Sequence, residues 1–117
     1  MKKVLFIIIL FLLSYNLFSQ SVDIKRQDVY FLGKLEYVIF PKCLSINIGN
    51  NEISFSDGRC YYIIDKMKES THNEKWYKVY RNGIYWVIVI RRDNLSITAE
   101  WEGEEMNVFI FKEKIRL

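Results

Sequence analysis

Closely spaced turn signals constrain this chain more than any other feature. From Cys43 onward, dipeptides that favour tight turns interrupt an alternation of apolar and polar residues, at Gly49-Asn50, Asp57-Gly58, Asn82-Gly83, Asp93-Asn94 and Gly103-Glu104. Asn-Gly and Asp-Gly supply the positive φ that two-residue hairpin turns require. Alternation with a period of two residues is typical of half-buried strands. The sequence therefore predicts consecutive antiparallel hairpins.

Taking each dipeptide as a two-residue turn also predicts which residues face each other. Phe55 then lies opposite Leu44 on one side and Cys60 on the other, and Trp101 lies opposite Trp86 and Met106. A shift of one residue would move every side chain to the other face, so a shared apolar face is informative. The predicted core face contains Leu44, Ile46, Ile53, Phe55, Cys60, Tyr62, Ile64, Ile84, Trp86, Ile88, Ile90, Ile97, Ala99, Trp101, Met106, Val108 and Ile110.

The fold class follows from the number of hairpins. We predict an all-β, antiparallel meander of about seven or eight strands, closed as an up-and-down barrel or curved as a rolled sheet. Residues 22–40 are predicted as two strands joined near Gly33-Lys34, with one strand and a short helix as the alternative. The architecture resembles that of small lipocalin-like barrels in topology only, because no family motif accompanies it. A two-layer β-sandwich is the alternative fold.

The N-terminus has the layout of a secretory signal peptide. Met1-Lys2-Lys3 is cationic, Val4 to Leu13 is apolar throughout, and Ser19 is a small residue before a plausible cleavage site. A membrane-spanning helix needs about 20 mostly apolar residues, and this run is shorter. We therefore predict a cleaved signal peptide at residues 1–19 and a single domain at 20–117. The mature protein is then periplasmic or extracellular and has no membrane span.

Charge argues against a nucleic-acid partner. The chain carries a formal net charge of +3, and removing Lys2 and Lys3 lowers it to +1. Nucleic-acid binding needs a clustered basic face that neutralises phosphates. Arg91-Arg92 is the densest basic site, and Asp93 follows it directly.

One predicted strand has no polar face. Residues 84–90 read Ile-Tyr-Trp-Val-Ile-Val-Ile, so an apolar set lies on the side away from the predicted core. That second face contains Trp76, Tyr80, Tyr85 and Val87. Either residues 29–40 cover it within the same chain, or it is a binding surface or homodimer interface. Aromatic residues concentrate binding energy at interfaces, which makes these four the candidate binding residues.

Cys43 and Cys60 leave two alternatives open. An exported protein with two cysteines favours one disulfide. The predicted register separates them by one intervening strand, so their Cα atoms would be about 10 Å apart at the usual strand spacing. A disulfide needs less than about 7 Å. The compartment therefore favours a bond, and the geometry favours free thiols.

The sequence offers no catalytic, metal or cofactor signature. His72 is the single histidine and lies in a polar stretch. A nucleophile–histidine pair would need a positioned nucleophile beside it, and a zinc site would need further ligands, and the sequence pattern indicates neither. We therefore predict a non-catalytic domain that binds an unknown protein or apolar ligand through the aromatic face. The alternative is a structural or assembly component, or an inhibitor of an envelope enzyme, with a filled core and no small-molecule site.

Overall fold

The computed structural model describes residues 19–101 and 103–117. The predicted signal peptide lies outside the described residues, except for Ser19. The described part of the chain contains nine strands: β1 (Gln20–Phe31), β2 (Lys34–Ile39), β3 (Ser45–Ile48), β4 (Glu52–Phe55), β5 (Cys60–Lys66), β6 (Lys75–Arg81), β7 (Ile84–Ile90), β8 (Asn94–Ala99) and β9 (Glu105–Phe111). Among these residues, no helix is long and apolar enough to cross a membrane.

Eight of these strands form a closed antiparallel barrel. The strands from β3 to β9 pair in sequence order, and β1 pairs with both β3 and β9, which closes the sheet. The predicted all-β meander and up-and-down barrel are confirmed, and the two-layer sandwich alternative is wrong. Residues 22–40 form strands, as predicted, in the hairpin of β1 and β2.

Strand β1 closes the barrel because it is long enough to pair with three other strands, β2, β3 and β9. Its first residues, 20–23, pair with β3, and residues 27–31 pair with β2 along the same edge. The other edge pairs with β9 from Ile24 to Phe31, with a register shift between Ile24 and Arg26. A bulge of this kind bends a strand and increases its twist, as closure of a barrel requires. The ninth strand, β2, therefore lies outside the barrel, where it pairs with residues 27–31 of β1.

The hairpin at Asn82-Gly83 has the predicted register. Asn82 and Gly83 both have positive φ, 51° and 78°, as a two-residue hairpin turn requires. Tyr80 therefore pairs with Tyr85, and Trp76 pairs with Val89.

The predicted register at Asp57-Gly58 is wrong by one residue. Gly58 adopts a φ of 101° in a three-residue turn, and the Phe55 N–H donates to the Arg59 carbonyl at 2.8 Å. Three-residue loops with a residue of positive φ are a common alternative to two-residue turns. The extra residue exchanges the faces of β5. Tyr61 is 3% exposed in the core, whereas Tyr62 and Ile64, predicted inside, are 55% and 56% exposed.

The predicted register of β8 with β9 is also wrong. The connection between Ala99 and Glu105 is longer than a two-residue turn, so Leu95 pairs with Phe109. This shift places Phe109 and Phe111 in the core. It moves Met106, Val108 and Ile110, which were predicted inside, to the outer face. Trp101, also predicted inside, lies in the connection and is 81% exposed.

In two other hairpins, the observed register differs from the predicted one by two residues. Because side chains alternate between faces, an even difference leaves each side chain on its predicted face. At residues 49–52 the pairing becomes Ile46 with Phe55. At residues 91–94 it becomes Trp86 with Ala99. The predicted partners in these hairpins are wrong, but the predicted core side is right.

Aromatic side chains fill the barrel interior. Phe55 packs edge-to-face on Phe109 and Tyr61, with ring centroids 4.9 and 5.9 Å apart, and Tyr61 packs edge-to-face on Trp86 at 5.9 Å. Fully buried aliphatic residues surround this cluster: Ile24, Ile46, Ile53, Val79, Ile88, Ile90 and Leu95. An eight-stranded barrel is just wide enough for side chains to fill it.

Two arginines lie over this aromatic cluster, at the end of the barrel that carries the turns at 56–58 and 82–83. We call this the upper end. The Arg59 guanidinium is 4.4 Å from the centre of the Phe55 ring, and that of Arg81 is 5.6 Å from the Tyr61 ring. The Arg59 guanidinium and the Asp57 carboxylate form an ion pair with a nitrogen–oxygen distance of 2.9 Å. The hydrogen bond from Arg59 is the main reason that the pKa of Asp57 is lowered.

Cys43 and Cys60 are free thiols. Cys43 is exposed, and Cys60 is half-buried. The Cys60 thiol faces the outer side of β5 and donates to the Glu52 carboxylate at 3.3 Å. The two cysteines are not bonded to each other in this structure.

Candidate functional site

Three tyrosines form a row across the outer face of the barrel. Tyr62 on β5 pairs with Tyr80 on β6, and Tyr80 pairs with Tyr85 on β7. Their exposed fractions are 55%, 36% and 46%. Directly opposed residues in antiparallel strands share a face and lie about 5 Å apart, so the row is continuous. Sequence reasoning identified Tyr80 and Tyr85 but missed Tyr62, because the slipped register placed Tyr62 in the core.

Two rings of the row, those of Tyr80 and Tyr85, are tilted relative to each other. Tyr80 and Tyr85 have ring centroids 5.3 Å apart and ring planes at 61°. Such edge-to-face pairs are favourable and hold both rings in place. Proteins that bind single-stranded nucleic acid instead present aromatic faces on which successive bases stack. The tilted rings offer edges as well as faces, which suits a contoured surface better than a stack of flat groups.

Charged side chains lie at both ends of the row. Glu52 pairs with Tyr62 at one end. At the other end, the Glu100 backbone N–H donates to the Tyr85 carbonyl at 3.0 Å. Lys78 lies between Tyr85 and Glu100, with its ammonium 4.9 Å from the Tyr85 ring centre and 3.5 Å from the Glu100 carboxylate. The tyrosine row is thus flanked by carboxylates and has one lysine beside it.

A groove continues from Tyr85 toward the upper end of the barrel. It has a volume of about 870 Å³, and its lining residues are Lys78, Gly83, Ile84, Tyr85, Trp86, Ala99, Glu100 and Trp101. Ile84 and Trp101 are 46% and 81% exposed. Sequence reasoning missed this groove because it wrongly placed both Ile84 and Trp101 in the core. We call the set Tyr62, Tyr80, Tyr85, Ile84 and Trp101 the tyrosine–tryptophan surface.

Trp76 and Val87, the other two predicted binding residues, are half-buried. The Trp76 indole N–H donates to the Glu74 carboxylate at 3.3 Å, and Arg91 donates to the same carboxylate at 2.7 Å. Val89, which pairs with Trp76, is only 6% exposed. The lower part of the predicted face is therefore closed by contacts within the fold, and the exposed part is centred on Tyr80 and Tyr85.

Residues 29–40 do not cover this face. Strand β2 packs only against β1 and makes no contact with β6 or β7. The hypothesis that this segment buries the second face is wrong, because its backbone is engaged in the hairpin with β1. Tyr80 and Tyr85 are left exposed as a result.

Protein families, curated proteins and solved structures were compared with the chain. None matches it. The candidate site therefore rests on its geometry. Within residues 19–101 and 103–117, no group of three or more His, Cys, Asp or Glu side chains is placed to hold a metal ion.

Proposed function

We propose that this protein is an exported, non-catalytic interaction domain that binds a protein partner through the tyrosine–tryptophan surface. The observation that carries the proposal is the in-register row of exposed tyrosines, Tyr62, Tyr80 and Tyr85, with Trp101 lining the groove beside Tyr85. Tyrosine and tryptophan are enriched at protein interfaces and supply much of the binding energy there. Exposed apolar clusters of this kind are uncommon on monomeric proteins unless they bind something.

The packed interior favours recognition on the outer surface. Phe55, Tyr61, Trp86 and Phe109 occupy the centre of the barrel and contact one another. An apolar ligand would have to displace these aromatic contacts to enter. A partner at the outer face requires no such rearrangement. The filled core is equally consistent with an assembly component or an inhibitor of an envelope enzyme, both of which also act by binding a protein.

The charges around the row indicate the partner's chemistry. Glu52 lies at one end of the tyrosines, and at the other end Glu100 and Lys78 partly compensate each other's charge, which leaves the carboxylate of Glu52 as the uncompensated charge beside the row. Complementary charges around an apolar centre steer association and select the partner. We therefore propose a partner surface with an apolar centre and lysine or arginine at its rim. The predicted signal peptide supports an encounter outside the cytoplasm.

Photo-crosslinking in the native host tests the proposal. A photo-reactive phenylalanine analogue replaces Tyr85 in the full-length, exported protein. The matched control carries the analogue in place of Leu117, an exposed apolar residue at the C-terminus. We expect a discrete crosslinked protein from position 85 and none of the same mass from position 117. Equal crosslinking from both positions, or none from position 85, would contradict the proposal.

A further inference from the structure

Strand β2 has an available edge. It pairs with β1 along one side and packs against no other element of the described chain. All six of its residues, Lys34–Ile39, are exposed. The backbone N–H and C=O groups along such an edge are a template for pairing with another strand.

Exposed apolar side chains are concentrated in and around β2. Among residues 19–101 and 103–117, seven of the fourteen exposed large apolar side chains lie within residues 31–40: Phe31, Leu32, Leu35, Tyr37, Val38, Ile39 and Phe40. Their exposed fractions correspond to an area on the order of 700 Å², given the usual surface areas of these residue types. A stable interface buries about 800 Å² per partner. Because successive side chains point to opposite faces of the strand, pairing along the β2 edge would bury the part of this area that flanks the edge on either face.

The edge has little protection against pairing. Natural edge strands are usually blocked by charged side chains, prolines or bulges. In β2 these devices lie early in the strand: Lys34 begins it, and Glu36 is an extra residue in a bulge, since Val29 pairs with Tyr37 and Tyr30 with Leu35. Residues 37–40 carry no charge and no proline before Pro41. Residues 37–40 are therefore the less protected half of the edge.

We propose that β2 pairs antiparallel with β2 of a second copy of this chain, forming a two-fold symmetric dimer. A two-fold axis between identical antiparallel strands requires one residue to face its own copy. With Tyr37 at the axis, Leu35 lies opposite Ile39 and Lys34 opposite Phe40, so the uncharged half of each strand faces the half of its copy that contains Lys34 and the bulge at Glu36. With Glu36 at the axis, two carboxylates would face each other, and like charges directly opposite are destabilising.

Charge also permits self-association. The opposite charges of Lys34 and Glu36 cancel, so β2 has no net charge. Without the predicted signal peptide, the net charge of the full chain falls from +3 to +1. Two copies of a nearly neutral domain repel each other weakly, so the apolar edge is not opposed by long-range electrostatics. This dimer uses strand β2 and does not depend on the partner proposed for the tyrosine–tryptophan surface.

Charge substitutions at the axis test the dimer and its register together. Tyr37→Lys and Tyr37→Glu are produced separately from the full-length coding sequence, and solution mass is measured by light scattering over a dilution series. We expect a wild-type dimer, a halved mass for each variant, and recovery of the dimer when the two variants are mixed. Tyr37→Phe, which keeps the ring and adds no charge, should remain dimeric. Circular dichroism verifies that every variant is folded.

Each other outcome overturns the proposal. A monomeric wild-type protein would show that the dimer does not form. Dimeric charge variants would show that the interface does not include Tyr37. A mixture that stays monomeric would contradict the register centred on Tyr37. Hydrogen exchange of the wild-type protein provides a second readout that needs no variant. The amides of residues 35–39 should become more protected as concentration rises, and concentration-independent exchange would contradict pairing at this edge.

Discussion

Tyr80 and Tyr85 face each other directly across the hairpin at Asn82-Gly83, with ring centroids 5.3 Å apart and ring planes at 61°. Both side chains are exposed, although the strands that carry them are part of a closed barrel. The pair is therefore held by local packing, without burial under another element. Together with Tyr62 and Trp101 it forms a surface available to a partner.

The adjacent residues Tyr61 and Tyr62 test the observed register of β5. Tyr61→Ala should destabilise the protein by about 3–5 kcal/mol, because it removes a buried aromatic ring from the core. Tyr62→Ala should change stability by less than about 1 kcal/mol, since Tyr62 is 55% exposed. Urea denaturation of the two variants measures both effects. The reverse order would indicate the two-residue turn at Asp57-Gly58 and contradict the observed fold.

The turn that sets the tyrosine pair depends on positive φ. Gly83 has a φ of 78°, so Gly83→Ala should lower stability by about 1–2 kcal/mol through backbone strain. Asn82→Gly is the control, because glycine adopts the φ of 51° at that position without strain. Thermal denaturation compares the two midpoints. A Gly83→Ala midpoint equal to that of wild type would mean that the turn is not of this type.

Acid should weaken the contact that ties Glu74 to Arg91. The hydrogen bond from Arg91, followed by that from Trp76, lowers the pKa of Glu74 from its ordinary value of 4.5. A carboxyl with a lowered pKa in the folded state stabilises the protein fully above its unfolded pKa, and this stabilisation is lost as pH falls through the folded value. Wild type should therefore exceed Glu74→Gln in stability at neutral pH.

The same comparison at low pH tests whether the stability difference between wild type and Glu74→Gln decreases with acid, as a lowered Glu74 pKa requires. Urea midpoints of wild type and Glu74→Gln are measured at steps from about pH 7 down to about pH 3, which spans the titration of an ordinary glutamate. Their difference should be constant at the neutral end and should shrink below about pH 4.5. A difference that grows with acid would contradict the assigned ion pair.

The two cysteines should react as separate thiols. Burial is the main reason that the pKa of Cys60 is raised, and its hydrogen bond to Glu52 adds to the effect. Because the thiolate is the nucleophile, Cys60 should alkylate slowly at neutral pH, whereas the exposed Cys43 should alkylate readily. Mass spectrometry of peptides after brief iodoacetamide treatment without reductant measures both sites. A Cys43–Cys60 disulfide-linked peptide would contradict the structure.

The sequence predicted the barrel because alternation and turn dipeptides are local properties. It predicted Tyr80 opposite Tyr85 correctly because Asn82-Gly83 forms a true two-residue turn. Asp57-Gly58 has similar chemistry but occupies a three-residue turn, and one residue was enough to exchange Tyr61 and Tyr62 between the faces. Glycine indicates where positive φ is available, and it does not specify the length of the loop.

The missed part of the candidate site has the same cause. The sequence pattern places Trp101 in the core because Gly103-Glu104 predicts a two-residue turn before Glu105. An apolar residue at a loop is indistinguishable by sequence pattern from one at the end of a strand. The exposed edge of β2 was also unpredictable, since it depends on β1 pairing with β3 and β9 at long sequence separation.

Affinity for the crosslinked partner tests the central claim most directly. The double variant Tyr80→Ala/Tyr85→Ala removes two adjacent exposed rings and should leave the fold intact. Binding is compared by calorimetry with wild type and with Leu117→Ala. We predict that the double variant binds at least about 30-fold more weakly, equivalent to about 2 kcal/mol for an interface hot spot, while Leu117→Ala binds like wild type. A folded double variant with wild-type affinity would contradict the account.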